Sequence, residues 1–184
     1  MKTLLLLRHG KSDWAADYAG DHERPLKGRG RRDAARVGRF LAAYGPPPDR
    51  CLTSTAVRAR TTLRLAHEAG GWRAPVEETA ELYHAYPETV LSVLARVDDS
   101  VGTLLVTGHE PTLSETVARL VGGGAVEMPT AALACIDLDV DRWAEVTWGS
   151  GALRWLVTPA ALKEALAAEG KASGEGSRGG ASGG

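Results

Sequence analysis

Three short segments carry side chains whose types and neighbours could do chemistry: Arg8-His9-Gly10, Ser54-Thr55-Ala56-Val57-Arg58, and Gly108-His109-Glu110-Pro111. A histidine can be a nucleophile, a metal ligand or a structural hydrogen-bonding group. Metal binding is the weaker choice at His9, because no Asp, Glu, His or Cys stands at ligand spacing beside it and an adjacent arginine opposes a cation. Arginine favours an anion, and phosphate is the anion its planar fork of donors fits best. Arg58 falls in the first turn of an expected helix, where the helix dipole disfavours a cation unless an anion lies between them. One such motif recurs by chance. Two histidines and two arginines, each beyond an apolar run, make an oxyanion site the stronger joint reading.

Those side chains need a frame. Thr3–Arg8 reads as a short strand buried on both faces, and Asp49–Thr53 and Thr103–Thr107 as two more. Apolar residues at helical spacing predict helices over Gly30–Tyr44, Thr55–Ala69, Pro87–Val97 and Leu113–Leu120. Ala132–Leu138 and Ala144–Trp148 look like a hairpin, Leu153–Val157 a further strand, and Pro159–Ala168 a closing helix. The alternation predicts an α/β three-layer sandwich with a mostly parallel central sheet flanked by helices. Ligands of such sheets sit beyond the carboxyl ends of the strands. Arg8-His9-Gly10, Thr53-Ser54 and Gly108-His109 all lie there.

Composition narrows the function. The chain has 184 residues, 43% hydrophobic and 24% charged, which fits one domain over 1–169. Residues 170–184 hold seven Gly and three Ser and read as a flexible tail. Twenty-two basic against twenty-three acidic residues leave a net charge of −1, against nucleic-acid binding. The apolar run Leu4–Leu7 is too short for a secretory signal, and a membrane span needs roughly 20 apolar residues. Cys51 and Cys135 read as two buried thiols, so a cytoplasmic location is expected. No Walker-type loop is present, and the absence of any Asn or Gln rules out a Cys-His-Asn arrangement. The arginines from Arg29 to Arg39 read as a solvated helix face.

The ordered segments LLLLRHGKSDW, ERPLKGRG, STAVRARTT and VTGHEPTL resemble the histidine phosphatase superfamily, and within it the small bacterial SixA-like phosphohistidine phosphatases. The resemblance implies a phosphoglycerate mutase-like fold and a metal-independent phosphatase with no cofactor. It implies His9 as the nucleophile, with Arg8, Arg58 and His109 around the phosphoryl group, Arg24 as a further phosphate contact and Ser54 as a supporting group. The Gly10 carbonyl is the expected acceptor for the second His9 ring nitrogen. The proton donor of ester-cleaving relatives has no clear match; Glu81 and His84 are the candidates. Lys27 stands where relatives often carry Ser or Thr, removing the usual helix cap. The expected substrate is protein phosphohistidine. Small phosphate esters are the alternative, and a catalytically silent phosphate-binding module is the alternative of another class.

Overall fold

The computed structural model describes residues 1–165. Ten elements frame the site: β1 (Lys2–Arg8), α1 (Gly28–Tyr44), β2 (Arg50–Ser54), α2 (Val57–Gly70), β3 (Val76–Thr79), α3 (Pro87–Leu94), β4 (Thr103–Gly108), α4 (Thr112–Leu120), β5 (Leu133–Leu138) and β6 (Gly151–Val157). They form one six-stranded sheet in the order β3-β2-β4-β1-β5-β6. The first four of these strands run parallel; β5 and β6 are antiparallel to their neighbours. This is the expected α/β architecture.

Strand β1 sits in the middle because it can be buried on both faces. Leu4 and Leu6 pack on one side with Val90 and Leu94 of α3 and Val117 and Leu120 of α4. Leu5 and Leu7 pack on the other with Val37 and Leu41 of α1 and Leu63 and Ala66 of α2. All four leucines are fully buried, each contributing about 2 kcal/mol of apolar transfer. The alternation follows from the two-residue period of a strand. Cys51 and Cys135 lie buried and unbridged in the second layer, their thiols pushed up to about 12 and about 11 by burial.

The structure departs from expectation at three points, for identifiable reasons. Ala144–Trp148 is not a strand: residues Trp143–Glu145 form a 3-10 turn, and β5 pairs with β6 instead. Trp143 is fully buried and donates through Nε1 to the Val101 carbonyl at 2.8 Å, anchoring the turn beneath the sheet. Strand β3 carries almost no apolar signal because it is a short, exposed edge strand of Val76-Glu77-Glu78-Thr79. Helix α1 starts at Gly28, two residues earlier than the periodicity implied, and its cap residue Lys27 makes no side-chain capping bond. Helical turns cover 159–165. The end of the expected closing helix and the Gly/Ser-rich tail lie outside the described residues.

Candidate active site

The carboxyl ends of β1, β2 and β4 stand side by side, and each delivers one or two polar residues. His9 follows β1 and its main-chain N–H donates to the Gly108 carbonyl at the end of β4 (3.1 Å). His109 follows β4, and the two imidazoles lie with ring centroids 5.2 Å apart. Ser54 ends β2 and places its hydroxyl 2.8 Å from His109 Nε2. Arg58 enters from the first turn of α2. Their side chains meet at the edge of solvent: His9 is 8% exposed, His109 9%, Arg58 5% and Arg24 5%.

The loop after β1 is held by close backbone contact. A Cβ on Gly10 would come within 2.7 Å of the Gly30 carbonyl oxygen, and one on Gly30 within 2.3 Å of the Lys11 oxygen. Only glycine at both positions lets this loop lie against the start of α1. That approach fixes the Gly10 carbonyl, which sits 2.8 Å from His9 Nδ1. A carbonyl can only accept, so Nδ1 carries the ring proton and Nε2 keeps its lone pair. The Gly10 N–H donates to Thr62 Oγ1 (2.8 Å), and that hydroxyl donates to the Arg58 carbonyl (2.6 Å). Thr62 therefore ties the loop bearing His9 to the helix turn bearing Arg58.

Arg24 is positioned from a separate segment. Residues Asp21–Glu23 make a 3-10 turn, and Ser12 pairs with Leu26 across a short bridge. Arg24 Nη1 donates to the buried Ser12 hydroxyl, while Nε and Nη2 donate to Asp21 Oδ1 at 3.1 and 2.7 Å. Arg58 donates to the Asp21 carbonyl at 2.6 Å and to Oδ2 at 2.9 Å. The Tyr83 hydroxyl donates to the same Oδ2 at 3.1 Å. His22 Nε2 and Thr55 Oγ1, 3.0 Å apart, clasp this turn to the start of α2. The exposed Trp14 ring lies 3.6 Å from the Arg24 guanidinium carbon, at the rim.

Electrostatics follow from this crowding. Burial pushes His9 down to about 4, against its bond to Gly10, and the guanidiniums of Arg58, Arg8 and Arg24 push it the same way. Burial likewise takes His109 to about 3, helped by His9 and Arg58. Both rings are neutral at pH 7. Desolvation works to raise Asp21, but the bonds and charges of Arg24 and Arg58 outweigh it and hold the carboxyl at about 2. Arg8 is lowered by burial and partly sustained by Glu110; its Nη1 donates to the Met128 carbonyl at 2.7 Å. Three buried side-chain atoms here have no hydrogen-bond partner: Arg8 Nε, Arg58 Nε and His109 Nδ1. The Ser54 hydroxyl accepts from the Ala56 N–H (3.3 Å) and has its own proton to give His109 Nε2. In that tautomer, assigned from the hydrogen-bond network, Nδ1 is also an N–H donor. Buried donors without acceptors are costly unless an anion arrives.

Comparison with known proteins identifies the frame. The model of the histidine phosphatase superfamily (branch 1) matches residues 4–86. An uncharacterized protein of Mycobacterium tuberculosis is 41% identical over 157 residues, covering 80% of this chain and 96% of the relative. The SixA structure from Nakamurella multipartitia is 30% identical, with a TM-score of 0.75 over 86% of this chain and 96% of that one. The chain belongs to the histidine phosphatase superfamily, in its SixA-like branch. The phosphohistidine phosphatase SixA of Escherichia coli is 29% identical over 167 residues, 89% of this chain and 98% of the relative. A SixA protein histidine phosphatase solved with tungstate superposes with a TM-score of 0.75 at 26% identity, covering 87% and 99%. This chain is accordingly a phosphatase enzyme.

Of the residues singled out by sequence in this histidine phosphatase, His9, Arg24, Ser54, Arg58 and His109 are brought together, and Arg8 flanks them. His84 lies beside the group: its ring is 4.0 Å from that of Tyr83, and its charge acts on His109. Glu81 is not brought in. It is exposed and paired with Arg96 at 2.6 Å. Sequence reasoning missed Asp21, Thr62 and Tyr83. Asp21 stands three residues before Arg24 and Thr62 four after Arg58, the only local signals for either. Among the described residues no three His, Cys, Asp or Glu side chains are grouped to hold a metal ion, and no helix is long and apolar enough to cross a membrane. An open cleft of about 810 Å³ adjoins Arg8, bounded by Glu110, Ser114, Val126, Glu127, Met128 and Thr158 among others.

Proposed function

We propose that this enzyme hydrolyses protein phosphohistidine through a phosphorylated His9. The observation that carries the proposal is the set of three buried, unpartnered atoms, Arg8 Nε, Arg58 Nε and His109 Nδ1, beside an imidazole held neutral with its Nε2 lone pair free. Those groups suit a tetrahedral oxyanion, and a SixA relative holds one, tungstate. In the first step His9 Nε2 attacks phosphorus, the bond from phosphorus to the substrate imidazole breaks, and the departing nitrogen is protonated. Arg8, Arg24 and Arg58 neutralise the phosphoryl oxygens in the loose transition state, and His109 donates through Nδ1. Water then attacks phospho-His9, releasing phosphate and regenerating the free imidazole.

A phosphorus–nitrogen bond suits this site better than an ester. An alkoxide leaving group needs a positioned acid, but Glu81 is paired away and Asp21 stays ionised at about 2. A departing imidazole takes a proton readily from solvent. The open cleft beside Arg8 leaves room for a macromolecular substrate, and two buried thiols suit a reducing cytoplasm. The test is a panel of a phosphohistidine protein, sugar phosphates and nucleotides, assayed with wild type and His9→Ala. Turnover of the phosphohistidine protein that vanishes in the variant is expected. Activity confined to the small esters would overturn the substrate, and no activity on any of them would overturn the enzyme reading.

A further inference from the structure

A guanidinium has two hydrogen-bonding edges, a side edge of Nε and Nη2 and an end edge of Nη1 and Nη2. Asp21 takes one edge of each arginine, and not the same one. On Arg24 the side edge donates to Oδ1, at 3.1 and 2.7 Å. On Arg58 the end edge donates to the Asp21 backbone carbonyl and to Oδ2, at 2.6 and 2.9 Å. What remains is the end edge of Arg24, which also holds Ser12 through Nη1, and the side edge of Arg58, whose Nε is buried without a partner. Both arginines are 5% exposed, so neither has water enough to shield it from the other. The Tyr83 hydroxyl, 3.1 Å from Oδ2, fixes the rotation of the carboxylate between them.

We propose that Asp21 is a positioning residue for phosphoryl transfer: its carboxylate clamps one edge of Arg24 and, together with its own backbone carbonyl, one edge of Arg58, so that the opposite edges face the phosphoryl oxygens. The proposal rests on the reading of the site given above. The carboxylate itself touches no reacting atom. It supplies the counter-charge that lets two cations share a buried wall, and its geometry sets which donors stay free. The carboxyl stays ionised well below neutral pH, so the clamp holds throughout the range where His9 is neutral.

The experiment compares wild type, Asp21→Ala, Asp21→Asn and Tyr83→Phe in the hydrolysis of p-nitrophenyl phosphate, with inorganic phosphate as competitive inhibitor and formate as an added small carboxylate. Losing the orientation of charge-assisted bonds from one arginine predicts a phosphate inhibition constant about 10- to 100-fold higher in Asp21→Ala, with a lower kcat/KM. Asp21→Asn keeps one acceptor but no charge, and falls between. Tyr83→Phe leaves both arginine pairs in place and weakens phosphate binding by a smaller factor in the same direction. Formate restores part of the activity of Asp21→Ala while only inhibiting wild type, an opposite response that a general loss of structure would not produce. Unchanged constants in Asp21→Ala and Tyr83→Phe would overturn the clamp. Tighter phosphate binding in Asp21→Ala would also overturn it, making the carboxylate a competitor for the oxyanion site. If Asp21→Ala does not fold, the isosteric Asp21→Asn carries the test, and an unchanged phosphate constant and kcat/KM there are the refuting result. Wild-type enzyme that neither turns over substrate nor binds phosphate would instead refute the reading of the site as a whole.

Discussion

Acidification should destabilise this fold through His9, beginning near the free imidazole value of 6.5. The native imidazole protonates at about 4, against 6.5 for the free group, because burial and the guanidiniums of Arg58, Arg8 and Arg24 disfavour its charged form. Between those two values the unfolded chain binds a proton that the native state refuses, so stability rises with pH across the window and is lost on descending it. The fall from 6.5 to about 4 corresponds to roughly 3 kcal/mol, a large share of the 5–15 kcal/mol typical of a whole domain. Below about pH 4 the His9 contribution stops changing. His109, at about 3, adds a slope of the same sign, while Asp21 begins to contribute only below 3.8. Urea denaturation of wild type and His9→Ala at intervals from pH 7 to 4.5 isolates the effect. The wild-type stability should fall more steeply, by up to about 1.4 kcal/mol per pH unit, whatever cavity the alanine leaves, because only the slope is compared. Saturating phosphate, an anion against the rings, should flatten the wild-type slope. Parallel lines for the two proteins would show that His9 titrates normally in the native state and would remove the basis for its neutrality.

Thr62→Val keeps the shape of a fully buried side chain but leaves the Gly10 N–H without an acceptor. It should cost about 1–3 kcal/mol in urea unfolding and lower kcat through the loosened His9 loop, whereas Thr62→Ser should retain both. Glu81→Gln breaks only the exposed pair with Arg96. Its kcat/KM on phosphohistidine protein should match wild type and its stability should change by less than about 1 kcal/mol; a clear loss of turnover would restore Glu81 as a proton donor.

The parts of the fold legible from sequence were those with a one-dimensional signal. Leu4-Leu5-Leu6-Leu7 announces a strand buried on both faces, and Gly108-His109 after Leu104-Leu105-Val106 announces another strand end at the site. Strand β3 was illegible because an edge strand of Val76-Glu77-Glu78-Thr79 has no apolar alternation to detect. The misplaced hairpin rested on Ala144–Trp148, where Val146 and Trp148 stand two apart as they would on one face of a strand. Trp143 is instead buried under a turn, and Trp148 lies against the Arg119 guanidinium. At the site, His9 and His109 stand out because each follows an apolar run. Asp21 does not, because its meaning depends on Arg58, 37 residues later, reached only through the 3-10 turn before Arg24. Thr62 is hidden in the same way, as an ordinary helix residue until the Gly10 loop folds onto it.

The most direct measurement is a rapid acid-free quench of wild-type enzyme mixed with a phosphohistidine protein, followed by peptide mapping of the transferred phosphoryl group. A base-stable, acid-labile phosphate on His9 that forms and decays within the turnover time, and is missing in His9→Ala, is the predicted result. Steady turnover with the phosphate on another residue, or undiminished turnover by His9→Ala, would contradict it.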